Sequence, residues 1–87
     1  MEAQKEYLKE IEDYLVKDRE AIMKYGVSLD EYGRITNYEE LVAAQVNAYN
    51  RNPTDGQEEY YNKFKDELDQ YEETLNLLEE QREVYFD

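Results

Sequence analysis

Carboxylates are the residues of this chain with the numbers and spacing to do chemistry. Adjacent acidic pairs recur at Glu39–Glu40, Glu58–Glu59, Asp66–Glu67, Glu72–Glu73 and Glu79–Glu80. A hydrolase needs two carboxylates at a defined separation, in a pocket that drives their pKa values apart. Neighbours along a helix point to different faces, so these pairs do not build such a site and read as solvated charge. Histidine and cysteine are absent. That removes the commonest general base, thiol nucleophiles, zinc–thiolate sites and disulfides. No serine or threonine has a base partner, and three glycines make no phosphate-binding loop. The expectation is no catalytic residue, no cofactor, no small-molecule substrate and no enzyme.

One metal-binding layout needs weighing. With Gly33 at position 6 of a calcium loop, Ile35 falls at position 8 and Glu39 at position 12, as an EF-hand requires. Position 1 would then be Ser28 and position 5 Tyr32. Only Asp30 and Glu39 would bring carboxylates to an ion that takes six to eight oxygens. A tight turn followed by a helix cap is the expected structure there, with no metal site.

The elements that carry these residues follow from apolar spacing. Leu8, Ile11, Leu15, Ile22 and Tyr25 recur at intervals of three, four and seven, which predicts a helix over 2–25. Asp18 interrupts its stripe, and Gly26 is a natural C-cap. Val27, Leu29 and Ile35 alternate about Asp30-Glu31-Tyr32-Gly33-Arg34, which predicts a short β-hairpin over 27–36 with Gly33 left-handed and Asp30 opposite Arg34. A second helix is expected over 37–50, opened by a capping box from Asn37 with Glu40 or Thr36 with Glu39. Leu41, Val42, Val46 and Tyr49 form its apolar side. Pro53 breaks the chain in a loop over 51–56, and Asp55 with Glu58, or Thr54 with Gln57, can cap the next helix.

The third helix, 57–86, carries the strongest periodicity. Tyr61, Phe64, Leu68, Tyr71, Leu75 and Leu78 alternate spacings of three and four as a heptad packing seam. From Gln57 to Tyr85 it spans about 43 Å, more than the second helix can cover. Either its tip projects or a second chain covers it. The fold class is therefore all-α, a three-helix bundle or coiled-coil-like module with one short β-hairpin between helices 1 and 2, in a single domain over 1–87. Helix 2 is expected to run antiparallel to both neighbours; the alternative is a two-arm hairpin with its second arm broken at Pro53. The expected core is Leu8, Ile11, Leu15, Ile22, Leu29, Ile35, Leu41, Val42, Val46, Phe64, Leu68, Tyr71, Leu75 and Leu78.

Charge narrows the partners. The chain has 87 residues and a net charge of −13, from 23 acidic and 10 basic side chains. Nucleic acid and anionic membrane surfaces repel such a chain. The acidic surface is either a solvated coat or a mimic of nucleic-acid charge aimed at a basic groove of another protein. No apolar run approaches the roughly 20 residues that span a bilayer, and the N-terminus lacks a signal peptide's basic and apolar regions. Without disulfide staples, the expected setting is intracellular or a virion. Ten tyrosines against two phenylalanines suit half-buried positions and interfaces. Candidate partner contacts are Tyr32, Tyr60, Glu72, Glu73, Glu79, Glu80 and Tyr85.

The stretch Val27–Leu41, V-S-L-D-E-Y-G-R-I-T-N-Y-E-E-L, with Tyr71-Glu72-Glu73-Thr74-Leu75 in the third helix, resembles segments of tail tape measure proteins of phages and prophages. The resemblance covers about residues 8–80. It implies a structural virion role, in which an extended helical protein in the tail lumen sets tail length, and with it a location in the virion tail or the cytoplasm of a bacterial host; it carries over no catalytic or ligand residue. Members of that family are far longer than this chain, so an excised segment and an independent small phage protein sharing the module both stand. Two functions follow. One is helical protein–protein packing in a tail-type assembly, with self-association through the helix 3 seam. The other is a small acidic inhibitor or decoy that occupies the nucleic-acid-binding groove of a host enzyme.

Overall fold

The computed structural model describes the backbone of residues 2–86 and, within that span, all side chains but those of Glu2, Gln4, Tyr85 and Phe86. Three helices account for most of it: α1 (Glu2–Met23), α2 (Tyr38–Arg51) and α3 (Asp55–Phe86). No strand is present among the described residues.

Each helix boundary has a local cause. α1 stops at Met23, two residues before the expected end, and closes with a turn in which Tyr25 N–H donates to Ile22 O (3.0 Å) and Gly26 N–H to Met23 O (3.2 Å). Gly26 takes φ +79°, the left-handed conformation that ends helices. α2 is shifted one residue along from 37–50, to 38–51. The break is only 52–54, shorter than the expected 51–56, because Thr54 caps α3: its Oγ1 accepts from Gln57 N–H at 3.1 Å. That cap starts α3 at Asp55 rather than residue 57.

The β-hairpin expected over 27–36 is corrected to a tight reversal with one isolated antiparallel bridge, Leu29 to Ile35. Asp30 N–H donates to Arg34 O (2.9 Å) and Gly33 N–H to Asp30 O (3.1 Å), and Gly33 adopts φ +81° as the turn requires. The ladder does not grow because its next donor is taken. Ser28 N–H bonds Asn37 Oδ1 at 2.9 Å instead of a facing carbonyl. The same Asn37 donates its Nδ2 to Gly26 O at 3.0 Å. Its side chain makes no cap bond to α2, so the expected capping box is absent; Asn37 ties the start of α2 to the end of α1. Arg34 does not face the Asp30 carboxylate as a charge pair. Asp30 Oδ1 accepts the backbone N–H groups of Tyr32 and Arg34, both at 2.9 Å, while the Arg34 guanidinium reaches α3.

α3 is the spine. Contacts from α1 and the residue that follows it climb α3 in reverse: Glu12 meets Arg82, Asp18 meets Thr74, and Lys24, just past α1, meets Glu67. α2 also descends α3, from Tyr38 beside Asp69 to Val46 and Tyr49 beside Glu58 and Tyr61. Both helices therefore run antiparallel to α3 and in the same sense as each other. The expectation that helix 2 opposes both neighbours is corrected, and α1 and α2 make no contact among the described residues. The molecule resembles a two-arm hairpin, but the broken arm is the first one, interrupted by the 24–37 reversal. Its extents are 53 × 22 × 17 Å. α1 and α2, staggered along the spine, together cover the length that neither covers alone.

The core follows the α1–α3 seam. Ile11, Leu15, Ile22, Val27, Phe64, Leu68, Tyr71, Leu75 and Leu78 are buried, each apolar side chain contributing about 1.5–3 kcal/mol on leaving water. Leu8, Leu29, Ile35, Leu41 and Val42 are only partly buried against it. Val46, expected in the core, is 40% exposed. α2 meets only the one helix, so its far side stays wet, and it has no buried residue at all.

Candidate functional site

The seam residues of α3 divide by position. Phe64, Leu68, Tyr71, Leu75 and Leu78 are 0–4% exposed, covered by α1 and the reversal. The seam is thus already occupied within the chain. Tyr71 has no side-chain atom to spare: its hydroxyl donates to Gly33 O, holding the turn onto α3. Tyr61, one turn before Phe64, is half-buried and lines a cleft between α2 and α3 with Val46, Tyr49, Glu58 and Asn62.

The candidate contact residues do not converge. Tyr32 stands at the tip of the reversal, 71% exposed. Tyr60 lies well down α3, its ring edge-on to Tyr25 with centroids 5.8 Å apart. Glu79 is engaged by the Arg34 guanidinium, which also donates to Asn76 Oδ1 at 2.7 Å. Glu72 is half-buried beside Tyr38, while Glu73 and Glu80 face solvent. The Tyr85 side chain lies outside the described residues. Asp30 is committed to the turn, and among the described residues no group of three or more Asp or Glu is placed to hold a metal ion.

Two tyrosines sit in perturbed surroundings. Burial raises the Tyr25 pKa well above its ordinary value, and its hydrogen bond to Glu67 (2.9 Å) and that residue's negative charge raise it further. Burial also raises Tyr38, with the Asp69 and Glu72 carboxylates adding to it. Both shifts keep the phenols neutral, opposite to the shift a proton-abstracting tyrosine needs.

A continuous surface does form along α2. An apolar strip of Tyr38, Val42, Ala43 and Val46 opens to solvent. At Val46 it joins the Tyr49–Tyr61 cleft, and at Tyr38 it joins an acidic hollow lined by Glu39, Glu40 and Glu72. The spacing of Val42, Val46 and Tyr49 predicts an apolar face, but spacing alone cannot say whether the chain covers it. Membership in a strip of three hollows was the missing information.

Comparison with protein-family models, with curated proteins and with solved structures finds no match for this chain. No helix among the described residues is long and apolar enough to cross a membrane.

Proposed function

We propose that this chain is a non-catalytic helical packing module that acts through protein–protein contact, in an assembly of the phage tail tape measure type. The observation that carries the contact reading is the uncovered α2 face: Val46 and Tyr49 remain 40% and 37% exposed while the heptad seam is consumed inside the chain. An apolar strip rimmed by polar residues is a surface on which a partner can dock. The tail assignment is supported only by the resemblance carried by Val27–Leu41 and Tyr71–Leu75. Self-association through the α3 seam would require lifting α1 away, whereas the α2 face is open without any rearrangement.

The test joins sedimentation of the isolated chain with its capture of proteins from bacterial lysate, washed at about 0.1 M and about 1 M salt, where the Debye length falls from roughly 10 Å to 3 Å. A packing module gives an oligomer or a protein complex that survives high salt and is lost in Val46→Ser/Tyr49→Ser, with helix content unchanged. A monomer that captures nothing at either salt sinks the reading.

The decoy reading keeps one supporting observation: Glu73 and Glu80 are exposed and take part in none of the ion pairs among the described residues. It expects a nucleic-acid enzyme captured at low salt, released at high salt, and indifferent to Val46→Ser/Tyr49→Ser.

A further inference from the structure

The charge along the α2 face narrows what can cover it. The three hollows that make up the face hold four carboxylates, Glu39, Glu40 and Glu72 at one end and Glu58 at the other, and no lysine or arginine lines any of them. None of the four is in an ion pair among the described residues. Between them runs the apolar row Val42–Val46–Tyr49. α2 is 14 residues long, about 21 Å at 1.5 Å per residue, the length of roughly four turns of a partner helix.

A partner must therefore offer an apolar stripe at helical spacing, flanked by positive charge. A second copy of this chain fits poorly. Docked face to face it brings the same acidic ends together, and docked elsewhere it still presents 23 acidic against 10 basic side chains. Like charges facing across an interface cost affinity, and complementary ones raise the association rate. We propose that the α2 face, with the Tyr61 side of α3, is the docking site for a basic amphipathic helix of another protein. The helix lays apolar residues at i, i+3/i+4 and i+7 over Val42, Val46 and Tyr49, and its flanking Lys or Arg meet the four carboxylates. The proposal rests on the packing-module reading and specifies its partner.

The test uses the full chain and a fluorescent helical peptide of about 18 residues, long enough to span α2, with leucines at i, i+3/i+4, i+7 and lysines on the flanks. A matched peptide replaces every lysine with glutamate. Binding is followed by anisotropy at about 0.1 M salt, with circular dichroism confirming that each variant keeps its helices. The expected result is binding of the lysine peptide and none of the glutamate peptide. Val46→Ser and Glu39→Lys/Glu58→Lys should each weaken binding by about tenfold or more. Glu6→Lys/Glu10→Lys, the same charge change on the exposed side of α1, should leave it within about twofold. No binding of the lysine peptide overturns the proposal. So does equal weakening by the α1 pair, which would mean attraction to net charge without a site. A chain that ignores the peptide yet self-associates through Val46 overturns the basic-helix partner while the packing-module reading survives. A chain that ignores the peptide, stays monomeric and captures no protein overturns both.

Discussion

Thr74 shows how a polar group survives in the seam. It is 7% exposed, and its hydroxyl donates to Asp18 Oδ2 at 2.7 Å while accepting from Gln70 Nε2 at 3.3 Å. Asp18, which breaks the apolar stripe of α1, is thus the acceptor that Thr74 requires. Thr74→Val keeps the shape and strands the half-buried carboxylate without its donor, which should cost about 1–3 kcal/mol. Urea unfolding reads this as a lower midpoint at an unchanged slope, and Thr74→Ser should restore most of it; equal midpoints for Val and wild type would show that the bond contributes nothing. Tyr25 gives a pH signature. Its folded pKa lies above that of the unfolded chain, about 10, so the fold holds that proton more tightly. The resulting stabilisation is complete below pH about 10 and declines as pH rises from there through the folded value. Stability should fall with pH less steeply above about 10 in Tyr25→Phe than in wild type. Coincident alkaline limbs would mean that Tyr25 is not held against Glu67 in solution.

At the scale of elements, the two positive-φ glycines make unequal demands. Gly26 has open space around the position of a Cβ, whereas a Cβ on Gly33 would meet the Tyr71 hydroxyl at 3.1 Å. Gly26→Ala should cost only the left-handed backbone penalty, roughly 1–2 kcal/mol. Gly33→Ala should cost more than that, because the Tyr71 hydroxyl must also move and its bond to Gly33 O loosens. Paired thermal melts check the order; equal losses would show that the turn is not seated on α3. The α3 helix was legible in sequence because six apolar positions repeat without a miss, and repetition fixes a face. The reversal was legible as a turn, through Gly33, but not as a loop without strands. Nothing in its alternation reveals that Asn37 captures Ser28 N–H and stops the ladder. Direction was not legible either. Spacing tells which face of α2 is apolar, not that α2 follows α1 down the same spine, which is why spacing alone puts Val46 in the core. The uncovered α2 face is the same gap seen from outside: periodicity marks apolar residues whether the chain or a partner covers them.

At the scale of the molecule, charge dominates. A net charge of −13 on 87 residues sets the folded chain against itself, since compaction brings like charges closer. Only three ion pairs are present among the described residues, and all involve exposed or half-exposed side chains, where each is worth about 0–1 kcal/mol. Screening should therefore relieve more repulsion than it removes attraction. The Tm should rise as salt increases from about 0.01 M to about 0.5 M. A Tm that falls over that range would show that the ion pairs outweigh the repulsion.

The reversed climb of α1 along α3 also sets how the fold bears load. Glu12–Arg82, Asp18–Thr74 and Lys24–Glu67 are successive rungs between α3 and the stretch made of α1 and the residue after it, and the outer ends of α1 and α3 lie at the same end of the molecule. Tension applied between those ends reaches the Glu12–Arg82 rung first and loads the next only after it parts. The chain opens as a zip, peeling at low force, step by step. Tension applied instead from the start of α1 to the start of α3 runs along the helices and loads every rung together in shear. The same contacts yield readily in one direction of pull and resist in the other.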